Sequence, residues 1–173
     1  MGLYRSVLHG ACPVNAAVAD AALAAAVWAC DRHCLALHEA LADWRAQPSI
    51  SSDALEHDPA LRRLTDQILY RFTKLQDAMG ERLVPATLTW LREPQEAWPM
   101  RGRQDKLAQT GFLDVEARLG WCDVRNRLAH EYPGTARLRH AAVLAAVEAA
   151  GAMLLAWAHW QARLPQSAMP GTA

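Results

Sequence analysis

Four side chains near residue 130 have the types needed for chemistry on a phosphodiester: Arg125, Asn126, His130 and Tyr132. Histidine takes or gives a proton near neutral pH. Arginine keeps its charge and presents a planar fork of donors that matches phosphate oxygens. Together they could cleave RNA without a metal ion. His130 would deprotonate a 2′-hydroxyl or protonate the leaving oxygen, while Arg125 offsets charge developing on the phosphorane. Asn126 could orient the imidazole or bond a phosphate oxygen, and Tyr132 could stack on a base or lend its hydroxyl.

Helical spacing places only some of these groups together. Asn126 and His130 are four apart and share a face. Arg125 is five residues before His130, which on an ideal helix turns it about 140° away. A distortion at the helix end, or a second copy of the segment across a dimer, would have to close that gap. Spacing alone leaves a structural alternative open: Asp123 and Arg127 form an ordinary i,i+4 pair, and His130 could cap the helix C-terminus.

The elements that carry these residues read as helices. Of the 173 residues 52% are hydrophobic and only 7% aromatic, with Ala and Leu dominating and strand formers scarce. The expected fold is all-α, an up-and-down four-helix bundle with an extra short helix or a loop insertion. A first helix is expected from Asn15 to Arg45, with Val18, Ala22, Ala25, Ala26, Ala29, Cys30, Leu37, Leu41 and Trp44 on its apolar side. Gln47-Pro48 breaks it, and Asp58-Pro59 reads as an N-cap followed by proline at the first helical position. The second helix, Pro59 to Met79, carries Leu61, Leu64, Ile68, Phe72, Leu75 and Met79 as one stripe, with Gly80 as its stop or bend.

Leu83 to Leu91 then continues past Pro85 or forms a short separate helix, and Glu93 to Arg103 reads as a loop. A third helical region from Lys106 is interrupted by Gly111 and Gly120 and restarts at Trp121, stopping before Pro133. The last helix runs from Ala136 to Arg163. Residues 1–173 are expected to form a single domain, with the core at about 15–163 and a tail over 165–173.

Composition limits the functions available. Eighteen basic residues balance eighteen acidic ones, so the chain lacks the positive excess of a protein that coats nucleic acid. Any contact with RNA must be local. Cys12, Cys30, Cys34 and Cys122 have neither disulfide nor zinc-ribbon spacing, and no secretion signal is evident. A reducing, cytoplasmic setting is expected, with no membrane association, because no run of eighteen uninterrupted apolar residues occurs.

The motif segment resembles a known family. Arg125, four residues, His130, one residue and Tyr132 match the Arg-x4-His-x-Tyr pattern of HepT-like proteins of the HEPN class. The Asn after the Arg and the following Pro133-Gly134 are similar too, and Asp66 to Gly80 resembles the helix that packs against the motif helix in that family. The resemblance covers roughly residues 61–155. It implies a metal-independent endoribonuclease toxin, with no cofactor, acting as a homodimer whose two motifs line one cleft. Arg125 and His130 would be the catalytic pair and Asn126 their support. The implied partner, besides the RNA substrate, is a cognate minimal nucleotidyltransferase antitoxin that adds AMP units to Tyr132. The alternative is a noncatalytic HEPN subunit that binds nucleotide or substrate for a nucleotidyltransferase. The chain departs from the family in a bulky insertion from Arg92 to Arg103.

Arg71 and Asp77 are polar residues on the second helix that could reach the motif cleft, Arg71 as a phosphate ligand and Arg127 as another. Cys30, His33, Cys34 and His38 share a broad face of the first helix and have metal-ligand types. One straight helix cannot surround a metal with all four, so these residues are expected to be structural and no metal is expected.

Overall fold

In a computed structural model the structure describes residues 13–129 and 136–169. These are mostly helical, with no strand among them. The helices are α1 (Pro13–Arg45), α2 (Ser52–His57), α3 (Pro59–Asp77), α4 (Val84–Trp90), α5 (Met100–Gln109), α6 (Val115–Ala129) and α7 (Ala136–Gln161). A π-helical stretch, Ala78–Leu83, joins α3 to α4, and a 3-10 turn, Gln166–Ala168, follows α7.

Alanine and leucine make α1 helical almost throughout its 33 residues. It is the central rod, packed against α3, the π stretch, α4 and α7. Its buried stripe contains Ala26, Ala29, Cys30, Leu37, Leu41 and Trp44 as expected, but Val18, Ala22 and Ala25 face solvent. Leu23, Val27 and Cys34 take their place. In a run so rich in alanine the apolar phase is set by where the larger side chains find partners.

The Asp58 carboxylate accepts hydrogen bonds from the backbone N–H groups of Ala60 (2.7 Å) and Leu61 (3.3 Å), with Pro59 at the first helical position. Both donors would otherwise be unsatisfied. Asp58→Ala is expected to lower stability by about 1 kcal/mol, read as a shift in urea midpoint at unchanged slope. From this cap Leu61, Ile68, Phe72 and Leu75 run into the core as one stripe, while Leu64 is half-buried.

Gly80 is neither a stop nor a break. The chain stays helical from Pro59 to Trp90, widening to π geometry over Ala78–Leu83. Pro85 lies in the first turn after that stretch, where its missing N–H and its ring are easier to accommodate than in a regular helix interior. Gly80 is buried, and a Cβ there would sit 3.0 Å from Nη2 of Arg118 on α6. The bare backbone therefore lets Arg118 cross the π stretch.

The expected loop from Glu93 to Arg103 is shorter than its prolines and glycine suggested, because α5 begins at Met100 and takes in Gly102 and Arg103. The Arg103 guanidinium donates to the carbonyls of Gln95 (3.2 Å) and Glu96 (3.3 Å), and Lys106 pairs with Glu93 at 3.0 Å. These contacts fold the segment back onto α5. Gly111, at φ 78°, supplies the left-handed turn after α5. Gly120 does not interrupt α6; it faces solvent inside a continuous helix.

The last helix, α7, ends at Gln161 and packs against α6, α3, α2 and α1. Asp31 on α1 accepts from the Trp157 indole (2.9 Å) and the Gln161 amide (2.8 Å), fixing the two rods in register. By length and composition α7 is apolar enough to cross a membrane, with mean hydropathy 1.8 over its most apolar window. Met153, Trp157 and Trp160 bury one side of it in the core, and Leu138, Leu144 and Leu155 are exposed.

Candidate functional site

Asp114 caps α6, accepting from the N–H groups of Glu116 (2.9 Å) and Ala117 (3.2 Å). Trp121 and Val124 bury one side of the helix, with Leu128 half-buried. Because 3.6 residues make a turn, Arg118, Cys122 and Arg125 form a separate row. This row faces α3 and the π stretch. Gln76 donates to Cys122 Sγ at 3.4 Å, and Arg125 Nη1 meets Asp77 Oδ1 at 2.9 Å. Lys74 lies 3.8 Å from the other Asp77 oxygen. Asp77 thus reaches the motif helix and sits between two cations.

Arg125 and Asn126 are both exposed on the last turns of α6. His130 and Tyr132 lie outside the described residues. Arg127 does not join Arg125: it lies across the helix, its Nε donating to the Asp123 carbonyl (3.3 Å), and lines a cleft of about 180 Å³ against Leu138, Ala141 and Ala145 of α7. The expected Asp123–Arg127 side-chain pair is therefore a bond to the backbone.

Arg71 points to α1. Its Nη1 donates to His33 Nδ1 at 3.3 Å, so the imidazole is neutral on that nitrogen and carries its proton on Nε2. Burial pushes the His33 pKa down, and Arg71, Lys74, Arg82 and Arg32 add to the depression. An unfolded His33 takes its proton near the usual 6.5, whereas the folded one resists it. Below that pH the unfolded chain binds more protons and stability falls. The His33→Gln variant is expected to lose less stability than wild type between pH 7.5 and 5, measured by urea unfolding at each pH.

His33 therefore belongs to a cationic cluster. Cys30 and Cys34 are buried in the core, where burial chiefly pushes the Cys30 thiol up to about 12 and the Cys34 thiol also upward, while His38 is exposed. Protonated thiols in apolar packing are poor ligands. Among the described residues no three His, Cys, Asp or Glu side chains come together as a metal site.

Sequence reasoning missed Tyr70 and Lys74, which flank Arg71 on α3, and Arg82 on the π stretch. The signal was available in part: Lys74 lies four residues after Tyr70 and three after Arg71, which makes it a helix-surface neighbour of both. A further concave surface, about 290 Å³, lies between α2, α3 and the start of α7. It is lined by Arg62, Asp66 and His140 beside a Glu56–Arg139 ion pair at 2.7 Å.

Compared with known families, characterised proteins and solved structures, the chain matches none. The fold and the site define an all-helical protein in which Arg125, near the end of α6, faces the cation-bearing α3.

Proposed function

We propose that the chain is a metal-independent endoribonuclease of the HepT-like HEPN type, the toxin of a toxin–antitoxin pair. The observation that carries this reading is the Arg125-x4-His130-x-Tyr132 pattern, whose Arg125 and Asn126 are exposed on the last turns of α6. Residues kept for packing alone would be expected on the Trp121–Val124 side. In this reading α1, α3, α6 and α7 are the long helices of an up-and-down four-helix bundle, with α2, α4 and α5 as additions.

His130 moves the proton of the attacking 2′-hydroxyl or of the leaving 5′-oxygen, and Arg125 meets the charge on the phosphorane. Attack by the 2′-oxygen on phosphorus breaks the bond to the 5′-oxygen and leaves a 2′,3′-cyclic phosphate. Asp77 keeps Arg125 extended towards α3 until a phosphate competes for its donors. Arg71 offers a second phosphate contact, while Arg127 is turned to the α7 side of its helix. The working unit is a cytoplasmic homodimer in which two motifs share a cleft. A minimal nucleotidyltransferase antitoxin adds AMP to Tyr132 and fills that cleft with charge and bulk.

The Arg125–Asp77 pair also supports a second reading, a noncatalytic subunit that binds nucleotide or substrate for a nucleotidyltransferase, because a guanidinium already paired with a carboxylate offsets less charge on a phosphorane. Expression in growing cells separates the two. Growth arrest by wild type, relieved by His130→Ala, supports the nuclease. Unimpaired growth together with tight binding of ATP or of a nucleotidyltransferase supports the subunit.

A further inference from the structure

The chain has no net formal charge, yet its cations are unevenly placed. Arg32, Arg71 and Arg82 make no salt bridge to a carboxylate among the described residues. Arg71 bonds His33 at 3.3 Å where α3 packs on α1, Lys74 follows one turn on, and Arg82 is exposed on the π stretch, which also packs on α1. Tyr70 stands in this field with 55% of its surface exposed. The Arg71 guanidinium lies 5.4 Å from its ring centre and the Lys74 ammonium 5.9 Å. Arg71 Nε is buried with no partner, an unmet donor beside the exposed ring.

Resting on the ribonuclease reading above, we propose that His33, Tyr70, Arg71, Lys74 and Arg82 form a ledge that holds single-stranded RNA beside Arg125. Phosphates lie on the cations and one base stacks on Tyr70. Aromatic faces interleaved with cations are the usual means of holding single strands without reading sequence. An acidic peptide would use the charges but leave the ring unused. From Tyr70 to Arg82 the helix axis advances roughly 18 Å, a length that an extended ligand covers. Lys74 and Arg125 share Asp77, so the ledge is continuous with the motif helix.

The test uses the full chain and a fluorescent single-stranded oligonucleotide carrying 2′-O-methyl groups, which cannot be cut by 2′-oxygen attack. Anisotropy is read in excess chelator. The Lys74→Glu, Arg82→Glu double variant is expected to bind at least tenfold more weakly, with a log–log salt slope smaller by about 1.4. Tyr70→Ala is expected to lose roughly 5- to 100-fold, and Tyr70→Trp to retain binding. Both charge reversals lie towards the surface, and circular dichroism checks the fold. No binding by wild type, or equal binding by the double variant, overturns the ledge. So does full binding by Tyr70→Ala, which would leave a mere polyanion surface. Binding of the methylated strand with unmodified RNA left intact keeps the ledge and removes the nuclease. Cleavage with unchanged binding by the ledge variants does the reverse.

Discussion

Replacing His130 with alanine is expected to lower the rate of RNA cleavage by about 10² to 10⁴, the usual contribution of a positioned proton-transfer group. Arg125→Ala is expected to cost about 10² to 10³, by analogy with loss of one charge-stabilising donor. Arg125→Lys recovers little, because a point charge does not reproduce the planar fork. Mixing the two inactive variants gives a sharper result. Arg125 lies on the α3-facing row of α6, paired with Asp77, about 140° around an ideal helix from position 130. If each site takes Arg125 from one subunit and His130 from the other, a mixed dimer holds one intact site. Activity is then expected to reappear when Arg125→Ala and His130→Ala chains are refolded together. If both residues act within one chain, every site in the mixture is damaged and no activity returns.

The second large effect is on stability. Trp160 is fully buried, its indole donating to the Thr87 hydroxyl (3.3 Å) and its ring 5.6 Å from that of Phe112 at 56°. It joins α7 to α4 and to the turn after α5. Trp160→Ala is expected to cost about 3–5 kcal/mol through cavity formation, with a further loss because the Thr87 hydroxyl is left buried and unpaired. Trp160→Phe keeps most of the volume and should cost clearly less. Urea unfolding of the three proteins measures this, and a change below about 1 kcal/mol for Trp160→Ala would contradict the packing described.

Local signals carried much of the fold. The Asp58-Pro59 cap and the stripe from Leu61 to Leu75 depend on neighbours a few residues apart, and both are present. The π stretch was not legible, because whether Gly80 stops a helix or admits Arg118 depends on α6, thirty-eight residues later. The start of α5 was hidden for a similar reason. Gly102 weakens a helix on propensity alone, while Arg103 ties the preceding loop to it through two carbonyls. Gly120 is tolerated because it faces solvent and packs against nothing.

The site was legible to a similar degree. Asp77 stood out as a polar residue able to reach the motif, and it meets Arg125. His33 suggested a metal face on α1 because its spacing to the cysteines is local, whereas its contact with Arg71 crosses thirty-eight residues. Arg127, expected among the phosphate contacts, lies on the side of α6 that α7 packs against and bonds the Asp123 carbonyl of its own helix.

The most direct measurement is incubation of end-labelled single-stranded RNA with the purified chain in excess chelator, with product ends identified. The ribonuclease account predicts cleavage to fragments ending in 2′,3′-cyclic phosphate, slowed by about 10² to 10⁴ in His130→Ala. Intact RNA after prolonged incubation with folded, dimeric wild-type protein would contradict it.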